Sequence, residues 1–340
     1  MAGHHEGMRK ERLDRGIKVR SDGVYAVASW REMAFLVTPR LVLILGLLVL
    51  PLAFVQAPYW QKVLSIICIY SLLAIGFDFL AHFVGLVSLG GALYIGVGAY
   101  LAAILNTELG LPVWATIPLA TVLGGAICTL LLWPCLPLRG VYFAIVSLMF
   151  PLLAARIIEA LDIFGGTDGI IGVGGFPNVW VEQYLLVICL LLILFGLRRL
   201  VNEDVGLVFR GVKDNDQAVK ASGINITTFK ALGVFIAASL GCLGGAILAH
   251  IYNWAGISQF ALDFSIIPIA ATVVGGGGTL VGPVIGCLLL VPISELLRDF
   301  GTLRIAVYAI ILMAFIVFKS EGLTSFGARK YNQTERWVEI

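Results

Sequence analysis

Charge is scarce in this chain. Only 13% of its 340 residues are Asp, Glu, Lys or Arg, against 59% hydrophobic residues, which is about half the charged share of an ordinary soluble domain. That shortage excludes a soluble globular fold, and the net charge of +2 points to no nucleic-acid partner. Cysteine is present six times, but Cys68, Cys128, Cys135, Cys189, Cys242 and Cys287 all fall in apolar segments, without a C-x-x-C or a metal-ligand spacing. They read as small buried hydrophobes, and no metal site is expected. Also missing is any paired-acid, His-Glu or Ser-Lys arrangement in facing apolar segments, so no catalytic residue is assigned.

What the chain has instead is a series of long apolar runs. About twenty apolar residues cross the hydrocarbon of a bilayer, and about seventeen are the minimum. Ten segments qualify, at 41–57, 62–81, 84–105, 112–137, 141–160, 184–200, 230–251, 262–276, 280–297 and 303–319, the eighth of them short. The expected fold is an all-α polytopic membrane protein of about ten transmembrane helices, rich in the glycine (39 residues) that lets helices approach in lipid. Val55-Gln56-Ala57 imitates a signal-peptide cleavage site, but the polar region ahead of it is too long and Pro51 interrupts the run. Residues 1–40 are therefore read as a basic cytoplasmic tail, 41–319 as the membrane domain with a cytoplasmic loop at 198–230, and 320–340 as a second cytoplasmic tail.

Basic residues test this topology, because cytoplasmic loops carry the excess of Lys and Arg. With the N-terminus inside, the inner segments hold eight before the first span, Arg139, six from Arg198 to Lys230, and four from Lys319 onward. The outer loops 106–111, 161–183 and 252–261 hold none, and only Arg298 and Arg304 depart from the rule. Both termini are thus expected in the cytoplasm.

One polar stretch, Gly206 to Asn225, interrupts the apolar pattern. Asp214 can cap a helix with Gln217 three residues on, Ala218, Val219, Ala221 and Ser222 continue it, and Gly223 suits a left-handed C-terminal cap. The reading is a short capped helix outside the bilayer, whose small residues can dock in a groove on another protein; a plain connector is the competing reading.

Four consecutive glycines, Gly275, Gly276, Gly277 and Gly278, imitate a phosphate loop. Thr279-Leu280 stands where Lys-Ser/Thr is required, and nucleotide binding is set aside. Adjacent glycines instead allow a break at membrane level, and Gly85 to Tyr100 has a similar character in the other half of the chain; such paired breaks point to a translocation path. An ionisable residue at the bilayer centre costs roughly 2.5–3.5 kcal/mol on insertion scales, so each needs a reason. Lys62 and Glu295 lie near span ends. Asp78 and His82, one turn apart, read as an interfacial pair near the inner surface, with a proton relay or solute contact as the competing role. Arg156 and Glu159 read as a local ion pair beside Pro151, which kinks its span. The outer loop 162–183 has acidic and glycine residues in no calcium-ligand spacing and reads either as a rim for an external partner, at Gly166, Thr167, Asp168 and Gly169, or as a connector.

Seven ordered stretches resemble the permeases of branched-chain amino acid importers of the ATP-binding cassette class, specifically the LivM-type subunit, over roughly residues 63–323. They are Tyr70–Gly76, Gly85–Gly90 with Gly96–Tyr100, Leu138–Val146, Gly165–Gly169, Ala221–Asn225, Val274–Pro283 and Glu321-Gly322. The family commonly has His after Ser-Leu-Gly, where this chain has Gly91. The resemblance implies two inverted five-helix repeats with broken helices, and a cytoplasmic coupling helix. The family marks that helix Glu-Ala-Ala, three residues, then Gly; here Gln217-Ala218-Val219-Lys220-Ala221-Ser222-Gly223 keeps Ala218 and Gly223. The coupling residues are then Asp214, Asn215, Asp216, Gln217, Ala218, Val219, Lys220, Ala221, Ser222 and Gly223. The translocation path is expected at Ser88, Gly90, Gly91, Tyr94, Gly96, Tyr142 and Gly275 to Gly278.

The implied function is a permease subunit of an ATP-driven importer in a bacterial inner membrane. Its partners would be a homologous second permease, cytoplasmic ATPases that carry ATP and Mg, a periplasmic binding protein and membrane lipid. This chain would bind no cofactor of its own. The solute would be a branched-chain or other hydrophobic amino acid, or alternatively urea or a short amide. An ion-coupled transporter working alone and an intramembrane enzyme are the competing classes, and both leave the capped helix unexplained.

Overall fold

The computed structural model describes residues 30–53, 57–138 and 140–297, with a few more between 310 and 327. The chain divides at Gly46 into two units. The described part of the first is the stretch Trp30 to Gly46 of helix α1 (Trp30–Ala53). That helix begins well before residue 41, inside the region read from sequence as tail; its apolar part is Leu41–Leu52.

The rest follows in a simple order. Helices α2 (Pro58–Phe79), α3 (Gly91–Thr107), α4 (Val113–Leu132), α5 (Val141–Leu161) and α6 (Val179–Asn202) precede two short polar helices, α7 (Asp204–Asp214) and α8 (Asp216–Ala221). Then come α9 (Ile226–Tyr252), α10 (Asp263–Gly275) and α11 (Gly282–Leu296). Among the described residues, six helical stretches are long and apolar enough to cross a membrane, Pro58–Val84, Val113–Cys135, Val141–Leu161, Val179–Asn202, Ile226–Tyr252 and Ile257–Gly275. Gly91–Thr107 and Gly282–Leu296 are apolar but shorter. The expected third span therefore starts at 91 rather than 84, because α2 runs on through a π-helical turn, Leu80–Val84, and residues 85–90 are not helical. The expected tenth span, 303–319, lies outside the described residues except for Ile310 and Met313.

Local signals explain the ends. Pro58 opens α2, where its missing N–H is no loss. Asn178 caps α6 by accepting from the Trp180 N–H, and Asn225 caps α9 by accepting from Thr227 and Thr228. Outside the helices, a two-residue antiparallel ladder pairs Ile170 with Ala255 and Ile171 with Trp254. It fastens the long loop before α6 to the turn after α9, a small sheet that the all-α expectation left out.

Helices α3 and α9 cross at the centre, and small residues let them. A Cβ on Gly98 would lie 2.3 Å from the Cys242 carbonyl oxygen, and one on Gly245 would lie 2.1 Å from that of Ile95. These are backbone contacts, which no rotamer change relieves, and such close approach is how helices gain contact in lipid. Gly245→Leu is accordingly expected to cost at least about 3 kcal/mol and to abolish a monodisperse peak in detergent size-exclusion chromatography. Gly196→Leu, with nothing within 4 Å of its Cβ position, should leave that peak in place.

Candidate functional site

Helices α10 and α11 form a hairpin broken by 276–281, and its turn is held by a carboxylate from α2. Asp78 is fully buried. Its Oδ1 accepts from the Gly278 N–H at 2.6 Å and its Oδ2 from the Leu280 N–H at 3.0 Å. His82 Nδ1 stands 2.8 Å from the same Oδ1, without hydrogen-bond alignment. Gly276 (φ 105°), Gly278 (φ 79°) and Leu280 (φ 59°) all lie at positive φ. For Leu280 that conformation costs about 1–2 kcal/mol, which the charged hydrogen bond to Asp78 offsets. On the other side, Thr279 Oγ1 donates to Gly276 O and accepts from Gly282 N–H, and Thr324 Oγ1 donates to Gly275 O.

Asp78 and His82 are thus paired as expected, and Asp78 in addition holds the backbone of a distant turn. A buried carboxylate is accommodated here because two backbone N–H donors satisfy it. Both of its oxygens accept a backbone N–H.

The second break, residues 85–90 ahead of α3, is satisfied by serine hydroxyls from three elements. Ser88 Oγ accepts from the Gly90 N–H and pairs with Tyr94 Oη at 3.1 Å. Ser147 Oγ on α5 accepts from Leu89 N–H while donating to Ala144 O, and Ser265 Oγ on α10 accepts from Ala92 N–H. Ser88, Gly91, Tyr94 and Ser265 line a small cavity with Leu73, Gly76 and Phe264, with space of about 20 Å³ for a water-sized centre, room for one water. Gly90 lies against Ser147, and Gly96 faces the Phe260 ring. Tyr142 stands apart, 73% exposed on α5. The structure thus brings Ser88, Gly91 and Tyr94 to one cavity, places Gly277 and Gly278 against His82 and Asp78, and packs Gly275 on Gly282 and Gly276 on Gly322.

The polar stretch between α6 and α9 holds two helices rather than one. On α7, Gly206, Phe209 and Val212 are buried while Arg210, Lys213 and Asp214 are not. Phe209 meets Phe79 and Phe229 edge-on at 5.5 and 5.9 Å, and the Arg210 guanidinium lies 5.8 Å above the Phe83 ring. So α7 is seated on the π-helical turn directly after Asp78. Helix α8 is capped by Asn215, not Asp214: Asn215 Oδ1 accepts from Gln217 and Ala218 N–H. Asp214 is still helical, whereas Asn215 has the extended backbone that a cap requires (φ −157°). At the other end Gly223 is left-handed (φ 82°), with Gly223 N–H on Lys220 O and Ile224 N–H on Val219 O, a Schellman closure. Ala218, Ala221 and Ser222 are exposed. Lys230 Nζ, only 8% exposed, pairs with Asp216 Oδ2 at 3.2 Å and ties α8 to α9.

At the opposite end of α9, the loop 165–169 lies against the turn after Tyr252. Trp254 Nε1 donates to Asp168 O at 2.8 Å. Gly166 and Gly169 are buried, whereas Thr167 and Asp168 form an exposed rim. His250 holds the same region, its Nδ1 donating to Gly174 O at 2.6 Å and its Nε2 lying 2.8 Å from Thr116 Oγ1. Arg156 and Glu159 make the expected local pair at 2.6 Å, and Tyr59 Oη at the start of α2 donates to Glu295 at the end of α11.

Sequence reasoning missed the Asp78 clamp, helix α7, the serine caps and Lys230. Only α7 carried a usable signal, Val205, Phe209 and Val212 on one helical face.

These features define a class: a multi-pass α-helical membrane protein with broken helices at its centre and an exposed, braced helix at one end. The chain belongs to the family described as branched-chain amino acid transport system / permease component, which matches residues 59–319. It is 27% identical over 286 residues to the high-affinity branched-chain amino acid transport system permease protein LivM of Salmonella typhimurium (strain LT2), covering 75% of this chain and 67% of that protein. It is 26% identical over 313 residues to the LivM protein of Escherichia coli (strain K12), covering 82% and 74%. A third similarity, 25% over 247 residues, is to the probable branched-chain amino acid transport permease protein LivM of Methanocaldococcus jannaschii, covering 64% and 71%. No solved structure matches the chain.

Proposed function

We propose that this chain is one of two permease subunits of an ATP-driven importer in a bacterial inner membrane. It moves a small solute, a branched-chain or other hydrophobic amino acid, into the cell by alternating access. The observation that carries this reading is α8: an exposed helix of six residues, closed at both ends by its own caps and anchored by the Lys230–Asp216 pair. A free connector has no need of these features, whereas a helix that seats on a moving partner must keep its shape. Cytoplasmic ATPases carrying ATP and Mg occupy that side; a periplasmic binding protein meets Thr167 and Asp168 on the other. Closure of the ATPases moves α8 and α7 as one body, and Phe209 and Arg210 pass the shift to the π-helical turn and the Asp78 clamp. In this reading the chain has ten spans in two inverted repeats with both termini inside, and the breaks at 85–90 and 276–281 lie one in each half of the chain.

The test is ATPase stimulation in the reconstituted complex by binding protein loaded with leucine, urea or a short amide. Stimulation by the leucine-loaded form supports the amino-acid assignment; stimulation only by urea or amide moves the solute class; solute movement by the purified chain without any ATPase removes the reading. Lys230→Met should keep the protein in the membrane and lower coupled uptake by about fivefold, the effect of losing about 1 kcal/mol of anchoring. Unaltered uptake would show that the ion pair has no part in coupling.

A further inference from the structure

A second, larger cavity lies where α9 ends and α10 begins. It measures about 420 Å³ and is lined by Leu248, Tyr252, Trp254, Ser258, Gln259 and Phe264. That size falls in the range of small-ligand pockets, about 300–1,000 Å³. Because α9 starts at the Asn225 cap beside α8 and ends at Tyr252, this cavity is at the end of the molecule away from the coupling helix. Its wall is apolar and aromatic apart from Ser258 and Gln259, and none of the six residues is charged.

Gln259 gives the wall a chemical preference. It is 2% exposed, its Nε2 donates to Trp254 O at 3.2 Å, and its Oε1 has no partner. With the nitrogen fixed, the oxygen is left as a buried acceptor, which is costly unless a donor arrives. A donor that also carries an apolar side chain suits the remaining walls.

Phe264 belongs to both cavities, this one and the small one containing Ser88, Tyr94 and Ser265. Its ring stacks on Tyr70 with centroids 5.5 Å apart. A solute passing from the larger cavity to the smaller must displace that ring.

The geometry points to the outer cavity as a receiving site for a small solute with an N–H donor and an apolar side chain, and to Phe264 as the gate between it and the interior. This inference rests on the transport reading given above. Trp254, which lines the cavity and is bonded to Asp168 O, also connects the site to the loop rim where a binding protein would dock.

The experiment uses the whole complex in proteoliposomes. Wild-type complex must first show ATP-driven leucine uptake; without it, the amino-acid assignment given above fails, and with it the premise of this site. With wild type active, Phe264→Ala should raise nucleotide-independent leucine leak at least about tenfold, the change expected when a stacked aromatic pair and its buried area are removed from a barrier. Wild-type leak in a correctly inserted Phe264→Ala complex overturns the gate. The receiving site is tested separately by thiol labelling of Ser258→Cys, an exposed position on the cavity wall. Millimolar leucine should slow the labelling at least about threefold, aspartate should not, and adding Gln259→Leu should raise the leucine concentration needed for half-protection about tenfold through loss of one hydrogen bond to a charged donor. Equal labelling with and without leucine, or protection that survives Gln259→Leu, overturns the site.

Discussion

Asp78→Asn is expected to lower the melting temperature of the purified complex and to reduce solute uptake at least about tenfold. The buried carboxylate accepts from two backbone N–H groups, Gly278 and Leu280, across a turn that includes Leu280 in the left-handed region. Asparagine offers one oxygen, so one N–H loses its acceptor and faces an amide NH₂ instead. Leaving a buried donor unpaired costs about 1–3 kcal/mol, and weakening the surviving charged bond adds to it, for about 2–4 kcal/mol together. The loss falls at the point where α2, the π-helical turn and the α10–α11 hairpin meet. Function should therefore fall further than global stability. Melting curves and uptake measured on the same preparation check this, and wild-type values for both would show that the turn holds without the clamp.

Gly223→Val should separate ATP hydrolysis from uptake while the protein inserts normally. Gly223 has φ 82° and nothing within 4 Å of its Cβ position, so the cost is conformational and not steric crowding by neighbours. A β-branched residue there costs about 1–2 kcal/mol or more, which a helix of six residues has few bonds to resist. The Schellman bonds to Lys220 and Val219 then open and α8 loses its end. Solute-loaded binding protein should no longer stimulate the ATPase, whereas Gly223→Asn, which tolerates the left-handed region, should retain most of the stimulation. Normal coupling in the valine variant would detach the helix from the transmission role.

Both predictions arise where reading the chain alone was uneven. The capped helix α8 was legible because its signals are local: a polar capping residue, small residues and a glycine within ten positions. Even so the cap fell one residue early, on Asp214. Asp214 and Asn215 have equal capping chemistry, and only the preceding helix α7, which runs through Asp214, decides between them. Asp78 was legible as an oddity but not in its role. Its partners lie 200 and 202 residues away, and nothing near it in the chain announces a backbone donor. The path residues show the same division. Ser88, Gly91 and Tyr94 gather at one cavity, but their neighbours Ser147 and Ser265 come from distant helices, and Tyr142, drawn in by its neighbourhood in the chain, is turned outward.

By itself the sequence determined the membrane class, the position of the long apolar helices, the family resemblance and the existence of a capped polar helix. Each of these depends on composition, period or spacing within about twenty residues, the length over which a helix either crosses the hydrocarbon or ends. Tertiary structure alone decided that Asp78 fastens the glycine turn, that α7 rests on the π-helical turn, and that Phe264 lines two cavities. Those arrangements arise from side chains brought together by the crossing of α3 with α9 and the folding back of α10 on α11, and no local pattern in the chain encodes which distant groups will meet.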